Sequence, residues 1–323
     1  MKEKEYPLGE PLKVNVENYV RAESDYQILT YAKTLGCFGK LVHQRDFYSV
    51  DNQLTIRVNR DTYYSFGLYD LNSPVTINKP DPGDRFQSLM TINQYHSIFP
   101  TIHEGRTFTF TKENVGSRYL IVIIRTFADP DDAKDQEIAH ALQDKITVEQ
   151  ADAGKLEMPD WDDESRKKMG NAINVLADSL PTTDGFFGER GKIDPIKQLM
   201  GTAFGYAGNP REAAIYLNIV PEKNDGKTPY RVTVKDVPVD GFWSITMYNA
   251  EGYMVKNEYG AYSVNDKSAK KNEDGSITIH FGGDPDNINY LPTPAGWNCL
   301  IRLYQPRKEL LEGKWDFPEF ELI

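Results

Sequence analysis

Apolar and polar positions along this chain follow two periods in three blocks. Near the N-terminus Tyr19, Ala22, Tyr26, Leu29 and Ala32 recur three or four apart. Gly36 stands where a C-cap glycine would, which predicts a helix over 16–35. The pattern then turns to strands at 54–58, 63–71, 75–77, 86–92, 106–111 and 119–126. Turn clusters such as Asn72-Ser73-Pro74 and Pro80-Asp81-Pro82-Gly83 separate them. The middle block returns to helical spacing. Ile138, Ala141, Leu142 and Ile146 share one face, and Met169, Ala172, Ile173, Leu176, Ala177 and Leu180 share another ahead of Pro181. A short helix over 195–204 starts from Asp194 as N-cap with Pro195 at its first position. Asn209-Pro210 predicts a last helical turn toward Tyr216. Strands resume at 230–234, 242–248, 253–255, 262–264, 277–281 and 300–304, with hairpin-type turns at Asn224-Asp225-Gly226 and Glu273-Asp274-Gly275.

One strand word occurs twice. Tyr64-Ser65-Phe66-Gly67-Leu68-Tyr69-Asp70 matches Trp243-Ser244-Ile245-Thr246-Met247-Tyr248-Asn249. Each is followed by a glycine (Gly116, Gly296) and an apolar run ending in Arg125 or Arg302, then an aromatic and a proline. The serine-to-arginine span is 60 residues in the first copy (65 to 125) and 58 in the second (244 to 302). Self-similarity of this kind marks repeated units. The fold expected is mainly β with a helical insert (α+β): two antiparallel jelly-roll-like sandwiches joined by a helical segment. The expected boundaries are 1–130 for the helix and first sandwich, 131–220 for the helical connection and 221–323 for the second sandwich.

Length and composition narrow the classes. A chain of 323 residues, 39% hydrophobic and 26% charged, is an ordinary globular protein of about two domains. Its net charge of −11 repels phosphate backbones, so nucleic acid is not an expected partner. No run approaches the ~18 apolar residues of a membrane span, and Met1 to Glu5 is followed by no signal-peptide core; a cytoplasmic location is the expectation. Cys37 and Cys299 form neither a disulfide framework nor a C-x-x-C pair and read as buried thiols.

The recognisable catalytic motifs are absent: there is no G-x-S-x-G elbow, no P-loop, no G-x-G-x-x-G and no H-E-x-x-H. Among the five histidines, His96 and His103 lie seven apart, an odd offset that turns them to opposite faces of a regular strand, so no metal site is assigned. No pattern names a cofactor. The most suggestive polar cluster is Asn59-Arg60-Asp61-Thr62, between two apolar strands. Arg60 there suits bidentate grip of a carboxylate, and Asp61 suits a base or an orienting group. The structural alternative makes Asp61 a partner of backbone N–H groups or of Arg125. Arg125 and Arg302, repeated at equivalent positions, suit a shared structural role. Ser65 and Ser244 lack a nearby base in sequence and make poor nucleophiles.

Longer words carry a resemblance. Val58-Asn59-Arg60-Asp61-Thr62, Tyr64-Ser65, Arg125-Thr126-Phe127, Asp129-Pro130 and His140-Ala141-Leu142-Gln143-Asp144 resemble the bacterial family called domain of unknown function 1254. Gly208-Asn209-Pro210, the word from Val237 to Ser244, Asp274-Gly275-Ser276 and Arg302-Leu303-Tyr304 with Pro306-Arg307 resemble its companion, domain of unknown function 1214. The likeness runs from about Phe38 to Pro318. It implies jelly-roll-like β domains joined by helices and no settled activity. Two departures stand out: Gln198 precedes Leu199 where the family tends to a histidine, and Tyr95-His96-Ser97 replaces Asp-His-Tyr.

Three functions follow as expectations. The first is an enzyme of hydrolase or lyase type acting on a small polar or carboxylated molecule in the first sandwich. Asp61, His96, Arg60 and Tyr64 form its catalytic set, with Asn59, Arg125, Trp243 and Tyr248 binding substrate. The second is a non-catalytic carbohydrate or small-ligand binding protein, with Trp243, Trp297 and Tyr248 as aromatic platforms. The third is an assembly protein that forms a homo-oligomer through a sheet edge.

Overall fold

The computed structural model describes residues 6–53, 56–180 and 182–323. The fold is mainly β, an α+β arrangement of sandwich type. The chain divides into two compact units. The first comprises Met1–Gln44, Tyr64–Thr126 and His140–Arg211; the second comprises Arg45–Tyr63, Phe127–Ala139 and Glu212–Ile323.

The first half of the chain runs α1 (Tyr19–Leu35), β1 (Leu41–His43), β2 (Thr62–Asp70), β3 (Val75–Lys79), β4 (Gln87–Asn93) and β5 (Arg106–Phe110). It continues through α2 (Lys112–Val115), β6 (Tyr119–Phe127), α3 (Ala133–Asp144), β7 (Thr147–Gln150), α4 (Asp163–Ala177) and α5 (Pro195–Phe204). The rest is β8 (Ala214–Ile219), β9 (Tyr230–Val234), β10 (Trp243–Tyr248), β11 (Ser263–Asn265) and β12 (Ile277–Phe281), then β13 (Tyr290–Leu291), β14 (Asn298–Tyr304), α6 (Lys308–Leu311) and β15 (Glu321–Leu322).

In the first unit a four-stranded sheet, order β1-β2-β6-β4, packs against a three-stranded one, order β5-β3-β7. Leu89, Leu120, Val122 and Ile124 meet Val75 and Ile77 between them. The opposite face of the larger sheet, with Phe66, Leu68, Met90, Ile121 and Ile123, is covered by Ile28, Tyr31 and Leu35 of α1. Burial on both faces explains why 119–124 reads as an unbroken apolar run rather than an alternation. Helices α4 and α5 pack on α1 through Ile173, Met169 and Leu199 beside Tyr19 and Ala22. They thus belong to the first unit, where the sequence suggested a separate connection.

The second unit repeats the plan. Its sheets have the orders β11-β10-β14-β8 and β13-β12-β9-β15. In each unit the two strands bearing the repeated words lie side by side at the centre of a four-stranded sheet. Pairing is antiparallel except for the short β12–β13 contact. Trp243, Ile245 and Met247 of β10 and Cys299, Ile301 and Leu303 of β14 point into the sandwich, against Val232, Ile279 and Phe281.

Several expectations change. After Asn209-Pro210 a turn does form over 211–213, but from Ala214 the chain enters β8, which completes the second sheet beside β14. Residues 253–255 form no strand. The strand expected over 54–58 lies partly outside the described residues, and 56–58 are turn and coil. Helix α1 buries Glu23, Ser24 and Asp25 and leaves Tyr26 and Leu29 exposed, contrary to its apolar spacing. The reason is electrostatic. Asp25 accepts bonds from Arg21, Gln94 and Trp161, and Glu23 pairs with Arg166, so the buried acids are compensated. Asp194 caps α5 as expected, accepting from the N–H groups of Ile196 and Lys197. Both cysteines are buried free thiols.

Candidate functional site

The polar cluster around residue 60 belongs to the second unit. Its location follows from the strand period. Because Trp243, Ile245 and Met247 face the sandwich core, Ser244, Thr246 and Tyr248 must face outward, as do Arg302 and Tyr304 of β14. That outer face is nonetheless buried, with Ser244, Thr246 and Tyr248 at 0% exposure and Arg302 at 2%. The segment 57–61 lies over it as a roof. Arg302 Nη2 donates to the carbonyl oxygen of Arg57 (2.8 Å) and to Tyr248 Oη (2.8 Å), and its Nη1 donates to Thr246 Oγ1 (2.8 Å). The Tyr248 hydroxyl in turn donates to the carbonyl of Val58 at 2.8 Å. Asn59 Nδ2 donates to Tyr304 Oη at 2.9 Å, and Asn265 Nδ2 to Asp61 Oδ1 at 3.3 Å.

A polar sheet face therefore recruits a polar strip of chain. This is the physical reason that 45–63, expected in the first sandwich, groups with the second. Asn59 and Asp61 point into the sheet, while Arg60 between them faces the other way and stays half-buried.

Asp61 is fully buried, and burial pushes its carboxyl pKa up, with the Arg302 guanidinium opposing that shift. The Ser244 hydroxyl is near enough to favour the charged form, yet neither Asp61 Oδ2 nor Ser244 Oγ completes a hydrogen bond of normal geometry among the described residues. For Arg302 burial acts against the charge, but Tyr248, Tyr304 and Asp61 outweigh it and its pKa is raised.

Arg60 opens onto a cleft of about 190 Å³ whose lining includes Asp131, Tyr259, Tyr262, Ser263 and Tyr290. Its guanidinium carbon lies 4.8 Å from the centre of the Tyr262 ring. Among the described residues no carboxylate or carbonyl oxygen bonds to its N–H groups. Tyr259 and Tyr290 form an edge-to-face pair, with ring centres 5.3 Å apart.

The other expected site residues lie elsewhere. His96, Tyr64 and Arg125 are in the first unit. His96 is sealed in its core: its Nε2 accepts the Ala207 N–H (3.1 Å), so its proton sits on Nδ1, 2.8 Å from Thr202 Oγ1. The ring stacks on Tyr206 at 4.3 Å, and burial lowers its pKa to about 3. Arg125 donates to Asn209 Oδ1 at 3.3 Å and lies over the Tyr64 ring at 5.5 Å. The expected structural pairing of Asp61 with Arg125 does not form: Asp61 bonds to Asn265 and feels the charge of Arg302, the matching arginine of the other repeat. Trp243, Trp297 and Tyr248 are buried at 3%, 0% and 0%, so they offer no exposed platform to a sugar. Trp243 is a core residue because its strand phase points it inward; Tyr248 is a strut of the roof. His103 is part-buried near Lys79, and the two effects together lower its pKa to about 4. Among the described residues no three His, Cys, Asp or Glu side chains gather as a metal-ligand set.

One arrangement was invisible in the sequence. His43 Nδ1 stands 2.7 Å from Ser65 Oγ, to which Gln143 Nε2 also donates at 3.1 Å. Register places His43 opposite Ser65 across the β1–β2 pair, as Asn265 is placed opposite Ser244 across β10–β11. Ser65 is fully buried, so the contact ties α3 and β1 to β2 rather than presenting a nucleophile to solvent.

Two sandwich units, each centred on one pair of strands bearing the repeated words, the second with a roofed polar sheet face, define a paired β-sandwich protein. Residues 38–150 match the family described as protein of unknown function (DUF1254), and residues 218–308 match that described as protein of unknown function (DUF1214). The chain belongs to the family that pairs these two domains. The crystal structure of the VPA0106 protein from Vibrio parahaemolyticus is similar, with 17% identity and a TM-score of 0.72 over 96% of this chain and 100% of that one. An uncharacterized protein from Burkholderia cenocepacia is similar at 11% identity and a TM-score of 0.53, over 95% of this chain and 88% of that one. These likenesses concern the fold alone. No curated protein matches the chain. Among the described residues no helix is long and apolar enough to cross a membrane.

Proposed function

We propose that the protein binds a small carboxylated molecule in the cleft beside Arg60. The observation that carries this reading is the state of Arg60. Its guanidinium is braced against Tyr262 and half-buried, and its N–H groups have no acceptor among the described residues. An arginine held flat in this way presents a rigid fork of donors that matches a carboxylate in geometry and charge. Arg60→Ala is expected to weaken binding of a small carboxylate at least tenfold in titration calorimetry, with the circular dichroism spectrum unchanged. Equal binding by wild type and variant would remove Arg60 from the site.

A second reading, an enzyme of hydrolase or lyase type, draws on Asp61. A buried acid with a raised pKa and an unbonded oxygen beside an unbonded serine hydroxyl is a form that catalytic acids take. Its burial at 0% exposure favours binding over catalysis as the leading function. In a screen of small carboxylic esters, Asp61→Asn is expected to abolish whatever turnover the wild type shows. Undiminished turnover in the variant would assign Asp61 to the roof alone.

A further inference from the structure

We infer that the ligand of the Arg60 cleft is a monocarboxylate carried on a six-membered ring, an inference that rests on the reading of this cleft as the binding site. Three features of the lining converge on that class. Of the polar side chains around the cleft, two are already committed: Asn289 bonds to the backbone of Lys270 and Thr278, and the Ser268 hydroxyl donates to Asn265. What remains toward a ligand is the Arg60 fork, the Ser263 hydroxyl, the Asp131 carboxylate and a surface of phenol rings. Tyr259 is 48% exposed, and its edge-to-face contact with Tyr290 fixes its plane while leaving area open. Such faces bind flat or chair-shaped rings by stacking and C–H contact, and give a short-chain acid little.

Charge selects carboxylate over phosphate. Among the described residues Arg60 is the one cationic side chain lining the cleft, and Asp131 lines it too. The Tyr259 and Tyr290 hydroxyls have raised pKa values, by burial first and by the negative charge of Glu258 second. A monocarboxylate brings one negative charge to a lining of one cation and one acid, whereas a phosphate of about −1.5 to −2 would bring more charge than Arg60 balances. Size points the same way. A volume of about 190 Å³ lies below the ~300–1,000 Å³ of pockets for drug-sized ligands, so the ring carries few substituents.

The ring carboxylate could be an aromatic acid or a uronic acid, and titration of the full chain separates the two. Benzoate, glucuronate, acetate, benzamide and inorganic phosphate are the probes. One of the two ring acids is expected to bind at least tenfold more tightly than acetate, and phosphate and benzamide at least tenfold more weakly than that acid. Tyr259→Ala is expected to bring the preferred ring acid down to the level of acetate. Acetate binding as tightly as both ring acids would overturn the ring inference and leave the Arg60 site standing. Phosphate or benzamide matching the ring acids would overturn the carboxylate assignment. No binding of any carboxylate would overturn the reading of the cleft itself.

Discussion

Arg302→Ala will cost the protein about 3–5 kcal/mol of stability, the range for breaking a buried charge cluster from one side. The size follows from what the side chain satisfies. Arg302 is 2% exposed and donates to Thr246, to Tyr248 and to the carbonyl of Arg57. Removing it leaves those acceptors without their donor and strips Asp61 of the positive charge that opposes its burial. It also frees one edge of the roof, because the Arg57 carbonyl is held to the sheet by this guanidinium. Asp61→Asn is the informative contrast. It keeps the shape and removes the charge from a site where burial already disfavours the charged form, so it should cost about 1 kcal/mol or less. Urea unfolding of the two variants beside the wild type measures both. A loss under 1 kcal/mol for Arg302→Ala would mean that the roof is held by packing alone.

Much of this architecture was legible because it rests on period. The repeated word and the unbroken apolar run before each arginine are strand signals, and they fall on the central strand pairs β2–β6 and β10–β14. The cap at Asp194-Pro195 was legible for a local reason, since all its partners lie within three residues. The destination of 45–63 was not legible. That segment is polar where it is buried, and only the outward phase of β10 and β14, some 180 residues or more downstream, shows that it has a polar partner. The same cause misled the reading of α1. Its apolar spacing pointed to Tyr26 and Leu29, whereas Asp25 and Glu23 go inside because Gln94, Trp161 and Arg166 meet them there. The Ser65–His43 contact is also long-range, set by strand register rather than by spacing.

The cluster at 59–61 divides by burial. Asn59 and Asp61 are buried in the roof, Asp61 accepting from Asn265 rather than pairing with Arg125. Arg60, at a bend between them, is half-buried and lines the cleft. In the binding role proposed for it, flanking residues that the fold holds fixed would preorganise the guanidinium at little entropic cost on association.

Stability will fall as the pH drops below about 6.5, and His96 will account for a large part of the loss. The sign follows from linkage. An imidazole in the unfolded chain gains its proton near pH 6.5, whereas His96 in the folded protein resists it down to about pH 3. Between those values the unfolded state binds the proton that the folded state refuses. The His96 contribution is therefore present in full above pH 6.5 and is lost progressively toward pH 3, amounting to about 2 kcal/mol by pH 5. The refusal has a structural cause: Nε2 already accepts the Ala207 N–H, and a proton there would face a donor in a sealed core. His103, lowered to about 4, adds a loss of the same sign, while Asp25 and Asp61, with raised values, work the other way. His96→Asn isolates the one residue. His96 has a φ of +51°, which asparagine tolerates better than most residues, and the amide can still donate to Thr202. The variant should be less stable at pH 7 yet show a shallower decline toward pH 5, so the two unfolding curves converge on acidification. Parallel profiles across that range would show that His96 does not carry the pH dependence.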